Sequence, residues 1–386
     1  MKKHILAVLM IIVLLLPLSA PAEEPALSFS KPEKGRTIYL GKDDTQSSLL
    51  WKVLDTDEKR ILLITRNTAC VHTNIDDKQF PFVSMDYVDN FDEDGNYPQL
   101  SRWDKSQIRQ LCDKLYRSWL SGSVHKQEAK ALIPYTVEET ENYQAGRFSL
   151  ECEPVSLSGE VFFVLSAREA ELYFDSEADR ACTDAAGAPT WWWLRSPVNH
   201  HSVYIDRSYI LCCVDDAGWL NSLDVLQGYN IPFAGFRPSC QLDPERVLFL
   251  TAAKNGKAKL TRNVTMVPVV SGDYNDWKLT LLNPDWQFSA ETDPLAASPG
   301  ESIAIPYTGA KTGGKNAISV ILCDGAGAPL YYGSRQSNDK DGTAEFPLPA
   351  ELAPGEYTVK VLNEERNDNM TSDIASGITD IPLTVR

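Results

Sequence analysis

Three consecutive tryptophans, Trp191-Trp192-Trp193, run directly into Leu194-Arg195-Ser196-Pro197, and further along the chain reads Gly235-Phe236-Arg237-Pro238. Adjacent side chains on a strand point to opposite faces, so such a triplet needs cover on both faces or leaves one indole presented elsewhere. Alternation predicts Trp191 and Trp193 on one face and Trp192 on the other, or the reverse. Core packing is the favoured reading for most of the triplet, and an aromatic platform for a sugar ring is the alternative. Arg195 then holds a buried carboxylate or backbone carbonyls.

The surrounding sequence alternates short strands with few helices. Residues 37–41, 49–54 and 60–65 are rich in aromatic and branched side chains between polar turns, which predicts three strands. Ser101-x-x-Asp104 reads as a helix start, after which Ile108, Leu111, Cys112, Leu115 and Trp119 fall on one helical face. Ser121-Gly122 ends that helix, and a second short one is expected over about 124–132. Residues 160–165 predict a strand, and Ser166-x-x-Glu169 is a capping box opening a short helix over 167–174. An alternating stretch over 203–214, the turn Asp215-Asp216-Ala217-Gly218, a closing strand over 233–242 and another over 246–250 complete this part. Beyond about residue 260, helical periodicity vanishes and Pro, Gly and Thr rise. Six strands are expected there, over 302–306, 318–323, 329–332, 343–348, 357–362 and 381–385. That spacing predicts a β-sandwich of immunoglobulin type. Cys323 is its sole cysteine, so an internal inter-sheet disulfide is ruled out. Residues 264–270 and 277–282 are expected as strands bridging the two parts. Gly309-Ala310-Lys311-Thr312-Gly313-Gly314-Lys315-Asn316 superficially suggests a phosphate-binding loop, but it ends in Asn and lies between strands, so a hairpin loop is expected.

Several of these motifs together resemble one family of exported bacterial proteins, the domain of unknown function 6273 family. The resemblance covers roughly residues 35–250. It rests on Tyr39-Leu40-Gly41 with Trp51, Trp103 with Ile108-Arg109, and Phe163-Val164-Leu165-Ser166 with Glu169-Ala170. Trp192 to Pro197 and Gly235-Phe236-Arg237-Pro238-Ser239 complete it. The resemblance implies a C-type-lectin-like fold and no established activity. Pro329-Leu330-Tyr331-Tyr332-Gly333 and Gly355-Glu356-Tyr357-Thr358 are similar to the immunoglobulin-like domain that often follows. Gly-Phe-Arg is also similar to an element of the formylglycine-generating enzymes, which share the lectin-like fold. Cys212, Cys213 and Cys240 do not match the cysteine pair those enzymes need, so this likeness bears on fold alone. The expected architecture is therefore α+β: a signal peptide over 1–22, a C-type-lectin-like domain over 36–250, a bridging β segment over 251–286, and an all-β immunoglobulin-like sandwich over 287–386.

Compartment and partners follow from the ends and the charge. Lys2 and Lys3 precede an apolar run over 5–16, and Ala20-Pro21-Ala22 offers a small-x-small cleavage site. The run is shorter than the roughly 20 residues that span a bilayer, so stable membrane insertion after cleavage is not expected. The expected location is secreted or at the extracellular surface. Removing 22 residues from 386 leaves 364 and takes two of 37 basic residues, so the net charge goes from −16 to −18. Such acidity excludes nucleic acid as a partner. Of the eight cysteines, several buried free thiols are expected in place of four disulfides.

The candidate ligand residues lie between the closing strands of the lectin-like unit: His200, His201, Tyr204, Trp219, Asn221 and Tyr229. Trp191, Trp192, Trp193, Arg195, Gly235 and Arg237 are read as mainly structural. His200-His201 diverge on a strand and lack an obvious third ligand, so an exposed loop is favoured over a metal site. Asn90-x-Asp92-x-Asp94-Gly95 resembles a calcium loop but has Ser101 where a bidentate Glu is needed, which favours a solvated acidic loop. No catalytic signature and no cofactor are predicted, and the metal question stays open. The leading expectation is non-catalytic binding of an extracellular glycan or protein. The alternatives are an enzyme with a site dispersed over the lectin-like domain, or a structural envelope protein.

Overall fold

The first three expected strands pair antiparallel in chain order, as Thr37–Lys42, Ser48–Thr56 and Ile61–Thr65. They belong to a computed structural model that describes residues 23–386 apart from 44, 70–102, 104–105, 140–142, 146–147, 151–154, 199–209, 225–234, 258–259, 261–263 and 265. With 47% strand and 13% helix, the fold is β-rich and its helices pack on sheets. Helix α1 (Gln107–Ser121) buries the expected face: Ile108, Cys112, Leu115 and Trp119 are inaccessible, and Leu111 packs at the margin. Trp119 meets Phe162 edge-on at 4.9 Å and Trp51 at 6.3 Å, so the helix is keyed to the sheet by aromatic contacts. The start of α1 differs from expectation. Ser106 is its cap, accepting from the N–H of Arg109, because the buried face begins only at Ile108. Ser101 and Asp104 lie outside the described residues. Helix α2 (Ser123–Ala129) follows directly after Gly122.

Trp119 also explains the Tyr39-Leu40-Gly41 motif. Gly41 has φ +68, and a Cβ there would lie 1.8 Å from the Trp119 ring. The Trp119 indole donates to the Lys42 carbonyl at 2.8 Å, and Trp51 donates to the Leu40 carbonyl at 2.6 Å. Only glycine leaves room for an indole stapled across the strand at this point.

The strand expected over 160–165 is instead divided. Val155–Glu160 pairs with Tyr135–Glu139, whereas Phe162–Phe163 pairs with Ser239–Leu242. A register shift between Leu157 and Glu160, with Gly159 at φ +89, turns the chain away from its first partner. Helix α3 (Ala167–Tyr173) opens on the expected capping box, with both Ser166 and Glu169 bonds formed. Helix α4 (Glu177–Arg180) follows it after a short turn.

One 16-stranded sheet runs from Phe162–Phe163 through the first three strands into the C-terminal part. The junction is Asp276–Leu282, which lies parallel to both Thr37–Lys42 and Asp373–Ala375 and antiparallel to Val247–Ala252. The sheet continues through Gly355–Glu365, Asn316–Cys323 and Pro329–Gln336. All six expected C-terminal strands are present. Four of them lie in the large sheet and face a smaller layer formed by Ser289–Ala290 with the other two, Ser302–Thr308 and Gly342–Pro347. Ile303, Ile305 and Phe346 from that layer share a core with Val320, Val361 and Leu383. The Gly309 to Asn316 loop is not a hairpin, since the strands it joins, Ser302–Thr308 and Asn316–Cys323, belong to different sheets. The Asn363 side chain pins its Lys311 peptide, accepting from the N–H at 2.8 Å and donating to the carbonyl at 3.3 Å. The expected bridging strand over 264–270 shortens to Val267–Pro268, where two residues pair with Tyr331 and Tyr332.

Candidate functional site

The tryptophan motif folds as the first strand of a three-stranded antiparallel sheet, Trp192–Val198, Ile210–Val214 and Leu220–Asp224. Gly235 lies alongside it, its N–H bonded to the Trp191 carbonyl at 2.6 Å and its carbonyl to the Trp193 N–H at 3.2 Å. A Cβ on Gly235 would sit 2.3 Å from the Thr68 methyl, which explains the glycine. Trp192 and Trp193 are both buried and Trp191 is half-buried, so the two faces expected for Trp191/Trp193 and Trp192 are not inside versus outside. The regular strand begins only at Trp192, and both of its faces are covered there. Arg195 satisfies both expected roles at once, donating to the Val164 carbonyl at 2.7 Å and to the Glu169 carboxylate at 2.6 Å. Burial would push the Glu169 carboxyl up, but Arg195 beside it holds it below its ordinary value.

Arg237 closes this assembly. Its guanidinium donates to the carbonyls of Thr65 at 2.8 Å, Arg180 at 3.1 Å and Arg66 at 3.4 Å. It stacks over Trp192 at 4.8 Å and Phe174 at 5.4 Å. Only 2% of Arg237 is exposed, and burial pushes its acidity in the direction of easier deprotonation. Arg180, 7% exposed, lies next to it and donates to the Gly218 carbonyl at 3.3 Å, leaving its Nε without a partner. Among the described residues neither guanidinium bonds a carboxylate.

Arg237 forms part of the wall of a cleft of about 640 Å³, lined also by Gly35, Thr37, Lys52, Arg66, Asp179, Ala181, Asn275 and Asp276. Three sources build it: the neighbouring sheet strands bearing Thr37 and Lys52, helix α4 with Asp179, and the start of the junction strand with Asp276. Lys52 is polar between buried Trp51 and Val53, so alternation turns it out of the core and toward the cleft. Its ammonium pairs with Asp179 and lies 5.5 Å above the Phe174 ring. Arg66 is held more loosely, 3.7 Å from Asp276, with 57% of its side chain exposed. Thr37 Oγ1 donates toward the Asn275 carbonyl at 2.6 Å and Asp276 Oδ1 at 2.8 Å. Nearby, the Tyr39 phenol is pushed up by burial and by the Asp276 carboxylate, with Arg66 acting against both.

The Trp219 turn also packs against α4. Gly218, at φ +88, leaves no room for a Cβ, which would lie 1.8 Å from the Glu177 carbonyl oxygen. Asp215 fixes the turn by accepting from the N–H groups of Ala217 at 3.0 Å and Trp219 at 2.9 Å. The Trp219 ring itself is 59% exposed. Asn221, half-buried, stands opposite Cys213 on the neighbouring strand. His200, His201, Tyr204, Tyr229 and residues 90–101, expected as an acidic loop, lie outside the described residues, as do residues 1–22, expected as a signal peptide. Of the residues singled out from sequence, Arg237 and the turn before Trp219 both bond Arg180 of α4. Lys52, Arg66, Asp179 and Asp276 carried no local motif, since the fold gathers them from four separate elements.

The described cysteines Cys112, Cys182, Cys213, Cys240 and Cys323 are free and buried, and Cys212 is buried. Burial pushes the thiols of Cys112, Cys182, Cys213, Cys240 and Cys323 up, the last to about 11, which keeps them protonated and unreactive. Among the described residues no cluster of three or more His, Cys, Asp or Glu is arranged to hold a metal ion, and no helix is long and apolar enough to cross a membrane.

No curated protein matches the chain. Residues 58–244 match the family model described as Domain of unknown function (DUF6273). This segment contains α1 to α4, the tryptophan strand and the Gly-Phe-Arg element that closes on it. The segment over 58–244 is thus a DUF6273 domain, the family that the ordered motifs resembled.

Proposed function

We propose that the chain is an exported, non-catalytic ligand-binding protein whose recognition surface is the Trp219 turn together with the cleft beyond α4. On this reading the C-type-lectin-like unit over 36–250 does the binding at the extracellular surface or in the medium, and an immunoglobulin-like sandwich over 287–386 acts as a spacer. Carbohydrate is the favoured ligand class, with a protein ligand as the second. The observation that carries the proposal is an indole 59% exposed on a turn whose backbone is fixed by Asp215 and by packing on α4. A large aromatic surface held rigidly in water loses little entropy when it stacks on a ligand. The neighbouring wall, almost wholly polar, supplies donors and acceptors for hydroxyl groups.

The test is a glycan and peptidoglycan-fragment array probed with the mature protein, with calcium and with chelator. The expected result is a reproducible hit that Trp219→Ala abolishes at an unchanged melting temperature. Loss of binding and stability together would make the ring a packing residue, and a blank array in both conditions would overturn the carbohydrate reading.

A further inference from the structure

The cleft carries a sign opposite to that of the chain as a whole. The chain carries a net charge of −16, yet the lining of this cleft has three cations, Lys52, Arg66 and Arg237, against two carboxylates, Asp179 and Asp276. Behind the wall, Arg180 adds a second buried guanidinium with an unpartnered Nε. The carboxylate that acts on Arg237 is Asp179, already ion-paired to Lys52. Asp276 is shared between Arg66 and the Thr37 hydroxyl. A buried cation without its own counter-charge projects an unscreened field, and the field emerges where the wall meets solvent. Arg66 stands at that opening with most of its side chain exposed and a single loose ion pair.

Resting on the binding function proposed above, we infer that the cleft receives a carboxylate-bearing sugar residue of the uronic acid class. Arg66 reorients from Asp276 to make a charge-assisted bond to the sugar carboxylate, and Lys52 reinforces it. Asp179 and Asp276 then accept from the ring hydroxyls and the Asn275 amide accepts or donates, while Trp219 stacks on an adjoining residue of the saccharide. Ala181 is the one apolar side chain in the lining, so the cleft has no pocket for apolar peptide side chains. That composition favours an acidic saccharide over the carboxyl end of a peptide.

Calorimetric titration of the mature protein with three probes tests this: a glucuronate-containing oligosaccharide, a neutral gluco-oligosaccharide of equal length, and a short peptide with a free C-terminal carboxylate. The acidic sugar is expected to bind at least about tenfold tighter than the neutral one, with a preference that shrinks as salt is raised. Arg66→Ala should erase the preference at an unchanged melting temperature, and Arg66→Lys should keep part of it. Equal binding of the two sugars, or a preference that survives Arg66→Ala, overturns the inference. If such equal binding is still lost in Trp219→Ala, the binding function stands while the acidic specificity falls. Tighter binding of the peptide replaces the sugar by a protein terminus. Failure of all three probes overturns the cleft as a carboxylate site, whereas a neutral-glycan hit on the array would leave the broader reading intact.

Discussion

Asp276 and Lys278 lie two residues apart on the junction strand, yet they serve opposite kinds of charge cluster. Lys278 belongs to a closed network in which every charge is answered. Its ammonium donates to Asp373 at 2.7 Å and to the Asn367 carbonyl at 3.0 Å. Lys257 donates to Asp373 at 2.8 Å, Glu364 at 2.6 Å and the Thr280 hydroxyl at 3.0 Å. Ser319, at 2.7 Å, and Tyr332 then complete Glu364. Asp276, by contrast, faces a cleft where one arginine is loose and another is buried without a carboxylate of its own. A saturated cluster fixes how strands meet, and an unsaturated one retains capacity for a ligand. The same strand therefore joins the two parts of the chain at one point and opens toward solvent at another.

The sharpest way to break this contrast is to remove a carboxylate from the closed network. Asp373→Ala leaves buried Lys278 without a carboxylate and Lys257 with Glu364 alone, and should cost about 3–5 kcal/mol in urea denaturation. The network also has a pH signature. Burial would push the Glu364 carboxyl up, but Lys257 and Arg366, with bonds from Lys257 and Tyr332, hold it down at about 2 against an ordinary 4.5. Because the folded value is depressed, its stabilisation is complete above pH 4.5 and drains as the pH falls toward about 2. Glu364→Gln should be less stable at neutral pH and lose stability less steeply across that acid window. Parallel acid-unfolding curves for the two proteins would show that the ionised carboxylate is not what holds the joint.

Arg237 offers an intermediate effect, because it belongs to the cleft and the core at once. Arg237→Leu leaves the carbonyls of Thr65, Arg180 and Arg66 without this donor and removes the cation from between Trp192 and Phe174. The expected loss is about 3 kcal/mol, measured by chemical denaturation. A loss comparable to that of Asp373→Ala would put Arg237 on the structural side of the comparison as firmly as the closed network. A loss near zero would mean that the arginine is retained for its field alone.

What was legible in the sequence follows the range of the interaction concerned. The face of α1, the capping box of α3 and the C-terminal strands are set by periodicity and neighbours a few residues away, and they appear where expected. The tryptophan and Gly-Phe-Arg motifs signalled a packed core, but their direct union through Gly235 could be read only once the two strands met. The cleft was not legible at all beyond Arg237. Lys52, Arg66, Asp179 and Asp276 are each ordinary surface-type residues in sequence, and only the parallel pairing of Thr37–Lys42 with Asp276–Leu282 and the packing of α4 beside it bring them together. Trp219 drew attention from its place between the closing strands of the lectin-like unit; it is exposed, and the binding expected of it depends on a ligand.

Trp219 should give the smallest effect on stability, and for that reason it sharpens the comparison most cleanly. Its turn is shaped by the Asp215 carboxylate, the positive φ of Gly218 and the close approach to Glu177, none of which involves the indole. The ring covers little core, so truncation removes little buried apolar surface. Trp219→Ala should shift the unfolding free energy by no more than about 0.5 kcal/mol, with thermal and urea denaturation agreeing. A residue that costs nothing to remove is not retained for packing, and its value then has to be sought in what it touches outside the chain. A loss of 2 kcal/mol or so would instead reveal contacts that bury the ring in solution, and the Trp219 turn would pass to the structural side beside the closed network.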